Sequence, residues 1–220
     1  MIYVIQAKEQ DIPFELLQQL AAVLAEAPGL THADATFRIH NSRGILAVEN
    51  KAEADRVSQR FNELGVLTFV SGQVLTPPRP ENLNLGKPDL DPEIGLAVAA
   101  RLQLVTERTV REFKQRGFAI GPALVGIPIP RLGMEERTVE DSDTRFYLDL
   151  FSSSRHWRAR PGIPLPIQTL LNAAITGDVY LSKGARVLKQ GDSRSIPRFD
   201  NEKDYDKYIT WLYQIKYAPR

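Results

Sequence analysis

The sequence predicts an α+β protein in two parts. A β-α-α-β-α-β sandwich over 1–72 is followed by a proline-rich linker over 73–92 and a β-rich α+β domain over 93–220, which closes with an amphipathic helix. Three observations predict this. Helix starts, apolar periodicity and stop signals agree along the first 72 residues. Five of the 15 prolines fall between Pro77 and Pro92. Short apolar runs with strand character then dominate until a helical period takes over near the C-terminus.

Ile2 to Ala7 is a short apolar run and reads as a strand. Asp11 is placed to cap the helix that follows, and Pro13 sits in its first turn, where a missing N–H costs nothing. Leu16, Leu17, Leu20, Leu24 and Ala27 recur at helical spacing until Pro28-Gly29 stops them. Thr31 starts a second helix, with Asp34 three residues on as in a capping box, and it ends near Asn41 to Gly44. Gly44 to Val48 reads as a strand. Asn50 with Glu53 opens a third helix, whose stripe is Val57, Phe61 and Leu64. Gly65 is suited to the left-handed residue that ends it. Val66 to Val70 closes the unit as a strand.

The stretch THADATFRIHNSRGILAVENKAEADRVSQRFNELGVLTFV resembles the C-terminal domain of the bacterial ribosomal stalk protein. Ala52, Glu53 and Ala54 through Gly65 match that domain's last helix and its glycine, and the resemblance covers residues 3–70. It implies a compact α/β sandwich of a kind used as an interaction module. The stalk domain meets elongation factors through helices rich in Lys and Gly. Here residues 31–40 hold one Arg and no Lys, so the resemblance does not extend to factor binding.

Proline blocks both helical and ladder hydrogen bonds, so 73–92 is expected to be an extended, semi-rigid spacer. Beyond it Leu96, Val98, Ala100, Leu102 and Leu104 alternate as in a strand, although Asp91-Pro92-Glu93 would also open a helix. Residues 117–133, with four glycines and three prolines, read as a loop or an edge strand. Arg145 to Phe151 reads as a buried strand and His156 to Arg160 as its neighbour. Ile167 to Ile175 reads as a short helix and Val179 to Leu188 as a hairpin turning at Lys183-Gly184. The terminal helix is capped by Asp200 or Asn201. Tyr205, Tyr208, Ile209, Leu212 and Ile215 lie on one of its faces.

Composition narrows the function. The chain is 43% apolar and 25% charged with a formal net charge of +1, so it can bury a core and carries no general attraction for nucleic acid or anionic membranes. The absence of cysteine removes disulfides, thiolate nucleophiles and zinc–thiolate or iron–sulfur sites. With no basic, apolar leader and no window approaching about 18 apolar residues, a bacterial, cytoplasmic location away from membranes is expected.

No phosphate-binding glycine loop, nucleophile elbow or metal-binding histidine pair occurs, so no catalytic residue, metal or cofactor is expected. His32, His40 and His156 have no chelating spacing. Glu135, Glu136, Glu140, Asp141 and Asp143 read as a solvated acidic loop. Asp149, among apolar neighbours, needs a partner. The densest basic cluster surrounds Trp157. Its Arg155, Arg158 and Arg160 are the candidate anion-binding residues. If 156–160 is a strand, Trp157 turns away from the face that holds His156, Arg158 and Arg160. The expected function is non-enzymatic binding, as a protein–protein adaptor or assembly component with a protein partner. Nucleic-acid or other anion binding through the 155–160 cluster is the alternative, and an enzyme with an unrecognised site comes third.

Overall fold

The computed structural model describes residues 1–83, 93–120, 128–175 and 177–218, and of 104–142 it describes the backbone alone. The protein is α+β. Its residues fall into two compact units, one of 1–102 with 145–220 and one of 103–144.

In the first unit the chain opens with β1 (Ile2–Gln6), α1 (Phe14–Ala25), α2 (His32–Ser42), β2 (Ile45–Val48), α3 (Lys51–Glu63) and β3 (Thr68–Ser71), the predicted order. The expected caps form. The Asp34 amide donates to Thr31 Oγ1 at 3.1 Å and the Glu53 amide to Asn50 Oδ1 at 2.9 Å. Gly65 ends α3 at φ +85°. Asp11 does not cap α1, which starts at Phe14 behind Pro13 with no side-chain cap; its carboxylate pairs instead with Lys183 Nζ at 2.8 Å.

The three strands form an antiparallel sheet in the order β2-β1-β3. Strand alternation gives this sheet two apolar faces. Val4, Leu46 and Val48 pack under α1, α2 and α3. Tyr3, Ile5, Ile45 and Phe69 face the other way, into a cluster built on the C-terminal helix.

That helix is α6 (Glu202–Tyr217), started by Asn201, whose Oδ1 accepts from the Asp204 amide at 2.8 Å. The second sheet covers its other side. This sheet comprises β4 (Pro80–Asn82), β5 (Leu96–Ile120), β6 (Pro128–Phe151), β7 (His156–Ala159) and β8 (Tyr180–Leu181), in the order β4-β7-β6-β5-β8, with β9 (Arg198–Phe199) also pairing β5. Leu96, Val98, Ala100, Leu102, Tyr147 and Phe151 point at α6. The intervening Ala97, Ala99, Leu148, Leu150 and Trp157 pack against α4 (Leu165–Ala174) and α5 (Lys183–Lys189). The layers thus run helices, sheet, α6, sheet, helices.

Three expectations are corrected here. The boundary at 72–92 does not divide the molecule, because α6 serves as core for both sheets. Nor are residues 73–83 a free spacer: the Leu75 amide donates to Gln214 Oε1 at 2.6 Å and β4 pairs in parallel with β7. Residues 84–92 lie outside the described residues. Val179–Leu188 is not a hairpin. Ser182 caps α5 by accepting from the Ala185 amide at 3.1 Å, and Gly184 lets the helix lie on β5, since a Cβ there would collide with the Ala99 carbonyl.

Residues 1–75 expressed alone should therefore unfold without a cooperative transition, or aggregate. The fragment exposes Tyr3, Ile5, Ile45 and Phe69, and each such side chain is worth roughly 1.5–3 kcal/mol when fully buried. Urea denaturation followed by circular dichroism reads the outcome. A sharp transition matching that of the whole chain would restore the boundary at 72.

The second unit consists of the outer parts of β5 and β6, residues 103–120 and 128–144. The acidic cluster from Glu135 to Asp143 accordingly lies on β6 and not in a loop, and 117–120 and 128–133 lie on β5 and β6, which are neighbours in the sheet. Residues 121–127 lie outside the described residues.

Candidate functional site

The antiparallel register of β6 and β7 sets Asp149 opposite Arg158 and Phe151 opposite His156. All four side chains point at α6, while Trp157 turns to the opposite face, as alternation predicts. Asp149 is fully buried and accepts three hydrogen bonds. Arg158 Nε donates at 2.6 Å, Tyr205 Oη from α6 at 2.5 Å, and His156 Nε2 donates as well. The other imidazole nitrogen, Nδ1, lies 3.0 Å from the Pro78 carbonyl oxygen. The ring thus bridges Asp149 on β6 to the 73–83 segment. Phe151 stacks on the ring at 4.1 Å.

Arg158 reaches on to Asp206 with Nη2 at 3.0 Å. Burial opposes its charge, but Asp149 and Asp206 outweigh burial and hold the guanidinium above its ordinary range. The network is closed. His156 is 2% exposed and both its ring nitrogens have partners within the protein.

The two other candidate arginines do not join Arg158. Arg155 makes two hydrogen bonds to Glu81, at 2.8 and 3.3 Å, and lies over the Trp157 ring at 4.7 Å. Arg160 stands 3.9 Å from Glu202 and over Tyr147. Each of the three arginines faces a different carboxylate partner. His32 lies exposed with Nε2 at 3.2 Å from the Gln18 carbonyl, and His40 is exposed on α2. Among the described residues no group of three or more His, Asp or Glu side chains is arranged to hold a metal ion.

The tyrosines around α6 set an alkaline limit. Burial, then Glu202 nearby, pushes Tyr147 up to about 12. Burial followed by the Asp149 charge raises Tyr205, and burial followed by the Glu9 charge raises Tyr208. Their folded values exceed the ordinary 10.0, so the stability they contribute is complete below pH 10 and falls as pH rises beyond it. Urea midpoints should fall steadily above pH 10. Midpoints flat to pH 12 would contradict the burial of these rings.

A groove of about 320 Å³ opens where the β1–α1 segment, the end of α2, the start of α5 and α6 meet. Glu9 closes one side, accepting from the Lys183 amide at 2.6 Å, from Arg186 at 3.2 Å and from the Tyr208 hydroxyl. On the other side the Trp211 indole lies against Gly44, whose φ is +93°, and donates from Nε1 to the Gln6 carbonyl at 2.8 Å. Arg43, Arg198 and Phe199 also line the groove. Sequence reasoning missed this groove. The only signals were the consecutive Arg43-Gly44 at a helix end and a tryptophan in the last helix.

A third feature belongs to the second unit. Among the described residues, β8 and β9 meet β5 at Leu96–Ala97 and Arg101–Leu102, and β7 meets β6 at Leu148–Phe151. Among the described residues no third strand pairs along 103–120 or 128–144, so within them this ribbon has two open edges.

No helix among the described residues is long and apolar enough to cross a membrane. Compared with known proteins, the chain matches no protein-family model, no curated protein and no solved structure.

Proposed function

We propose that the chain is a non-catalytic binding protein, an adaptor or assembly component, and that another protein docks by adding a strand to the 103–144 ribbon. The observation that carries this reading is the ribbon's pair of open edges. A lone two-stranded hairpin is marginal in water, and an unpaired edge is a template for another chain. Strand addition satisfies both demands.

Charge indicates the kind of partner. Residues 103–120 hold four basic and two acidic residues, and 128–144 hold two basic and five acidic. Two-fold pairing with a second copy would set like strand against like, which charge opposes. The partner is therefore a different protein, with a basic strand for the β6 edge or an acidic one for the β5 edge. The interaction role expected of 1–72 passes to the ribbon, because both faces of the first sheet are already covered. Anion binding by Arg155, Arg158 and Arg160 has less support, since each already faces a carboxylate.

The test shortens the ribbon by joining Leu102 to Arg145 through an Asn-Gly turn. The shortened chain should keep its thermal midpoint and lose a protein that the full chain captures, by cross-linking, in low salt. A partner held equally by both chains would overturn the docking site. A homodimer lost on shortening would overturn the choice of a different protein.

A further inference from the structure

Three buried side-chain nitrogens among the described residues have no hydrogen-bond partner: Gln6 Nε2, Arg43 Nε and Arg101 Nε. Two of the three belong to side chains that line the groove beside Trp211. Buried donors are almost always satisfied, so two unmet donors in one groove call for an acceptor. Gln6 is 8% exposed and cannot turn to bulk water for one.

Arg43 carries a second mark. Its backbone is left-handed, at φ 49° and ψ 39°, the only positive φ outside glycine among the described residues. A long side chain is uncommon there, and such strain gathers where a side chain must be aimed. Arg43 follows the end of α2 and precedes Gly44, which is pinned beneath the indole of Trp211, so its direction is set by the fold.

The missing acceptor is an anion. Arg43 Nη2 pairs with Asp204 at 3.7 Å, beyond hydrogen-bond reach, and the guanidinium lies over the Phe199 ring at 5.5 Å, which leaves Nε a buried donor without an acceptor. The groove's own carboxylates are occupied, Asp11 by Lys183 and Glu9 by Lys183, Arg186 and Tyr208. Ile12, Leu17, Ile39 and Phe199 give part of the wall an apolar character, and Gln10, His40 and Arg198 line it as well. A volume of about 320 Å³ sits at the small end of ligand sites, which span about 300–1,000 Å³.

We propose that this groove binds a small organic oxyanion, a carboxylate or phosphate on a compact apolar body, through the Arg43 guanidinium and the Gln6 side-chain amide. The proposal does not depend on the ribbon and holds for the chain with or without its docking function.

Benzoate and phenyl phosphate share a ring and differ in the oxyanion, so titrating each into the ¹⁵N-labelled full chain separates the two head groups. One or both should shift the Trp211 indole N–H and the Gln6 amide saturably, and benzyl alcohol, with the ring and no charge, should not. Arg43→Asn keeps a residue suited to left-handed backbone and should weaken binding at least about tenfold, the value of one lost charge-assisted hydrogen bond. The proposal fails if neither anion gives a saturable shift, if benzyl alcohol binds equally well, or if Arg43→Asn leaves the affinity unchanged.

Discussion

Asp149→Asn should cost about 3–5 kcal/mol, the usual penalty for removing one partner of a buried ion pair. The carboxylate takes three donors at full burial, and one of them is the Arg158 guanidinium. An amide keeps the shape but removes the countercharge. It also presents an NH₂ to a site where His156, Arg158 and Tyr205 all donate, so at least one buried donor must lose its acceptor. Small domains hold about 5–15 kcal/mol in total, so the variant should be close to unfolding at 37 °C. Asp206→Asn is the control. Asp206 bonds the same arginine at 3.0 Å, but its side chain is 56% exposed, and pairs of that kind are worth about 0–1 kcal/mol. Urea midpoints compare the two variants. Equal, small shifts would mean that Asp149 is not the buried hub of the network.

Asp149 also shows how far the sequence could be read. A carboxylate inside RFYLDLF demands a partner, and alternation correctly puts His156 and Arg158 on one face and Trp157 on the other. Alternation does not say which face meets water. The basic face was the candidate anion-binding face, yet it lies under α6, because a sheet with helices on both sides has no solvent face. Local signals carried the element order of 1–72, since Thr31, Asn50 and Gly65 act within three or four residues of themselves. Where a contact spans the chain, as between Trp211 and Gln6, no local pattern could reveal it.

The terminal helix held more information than a single stripe. Tyr205, Tyr208, Ile209, Leu212 and Ile215 describe one apolar face, which predicts a helix lying on one core. Trp211 and Tyr213 widen that face until it nearly encircles the helix, and Gln214 is buried as well. A helix apolar most of the way round is buried on more than one side. That width was the signal, available in the sequence, that 1–72 and 93–220 share a core. The groove beside Trp211 had no such signal, because it is lined by residues as far apart as Gln6 and Trp211 that only the closed fold brings together.

Trp211→Ala should cost about 3–5 kcal/mol, as large-to-small core substitutions at aromatic positions do. Trp211 is 5% exposed, and its indole covers Gly44 so closely that a Cβ on the glycine would lie 2.5 Å from the ring. Truncation opens a cavity between α6 and the first sheet. It also removes the donor that the Gln6 carbonyl accepts from at 2.8 Å. Thr210→Ala, on the partly exposed side of the same helix, should cost far less, which separates lost packing from lost helix propensity. The cost should fall on the whole first unit. Because α6 supplies core to both sheets, denaturation of the variant followed by aromatic ellipticity and by peptide ellipticity should trace one transition, shifted intact to lower urea. Two separated transitions, with the part holding 1–72 melting first, would show that α6 binds the second sheet alone. The shared core would then be wrong even if the stability loss were as large as expected.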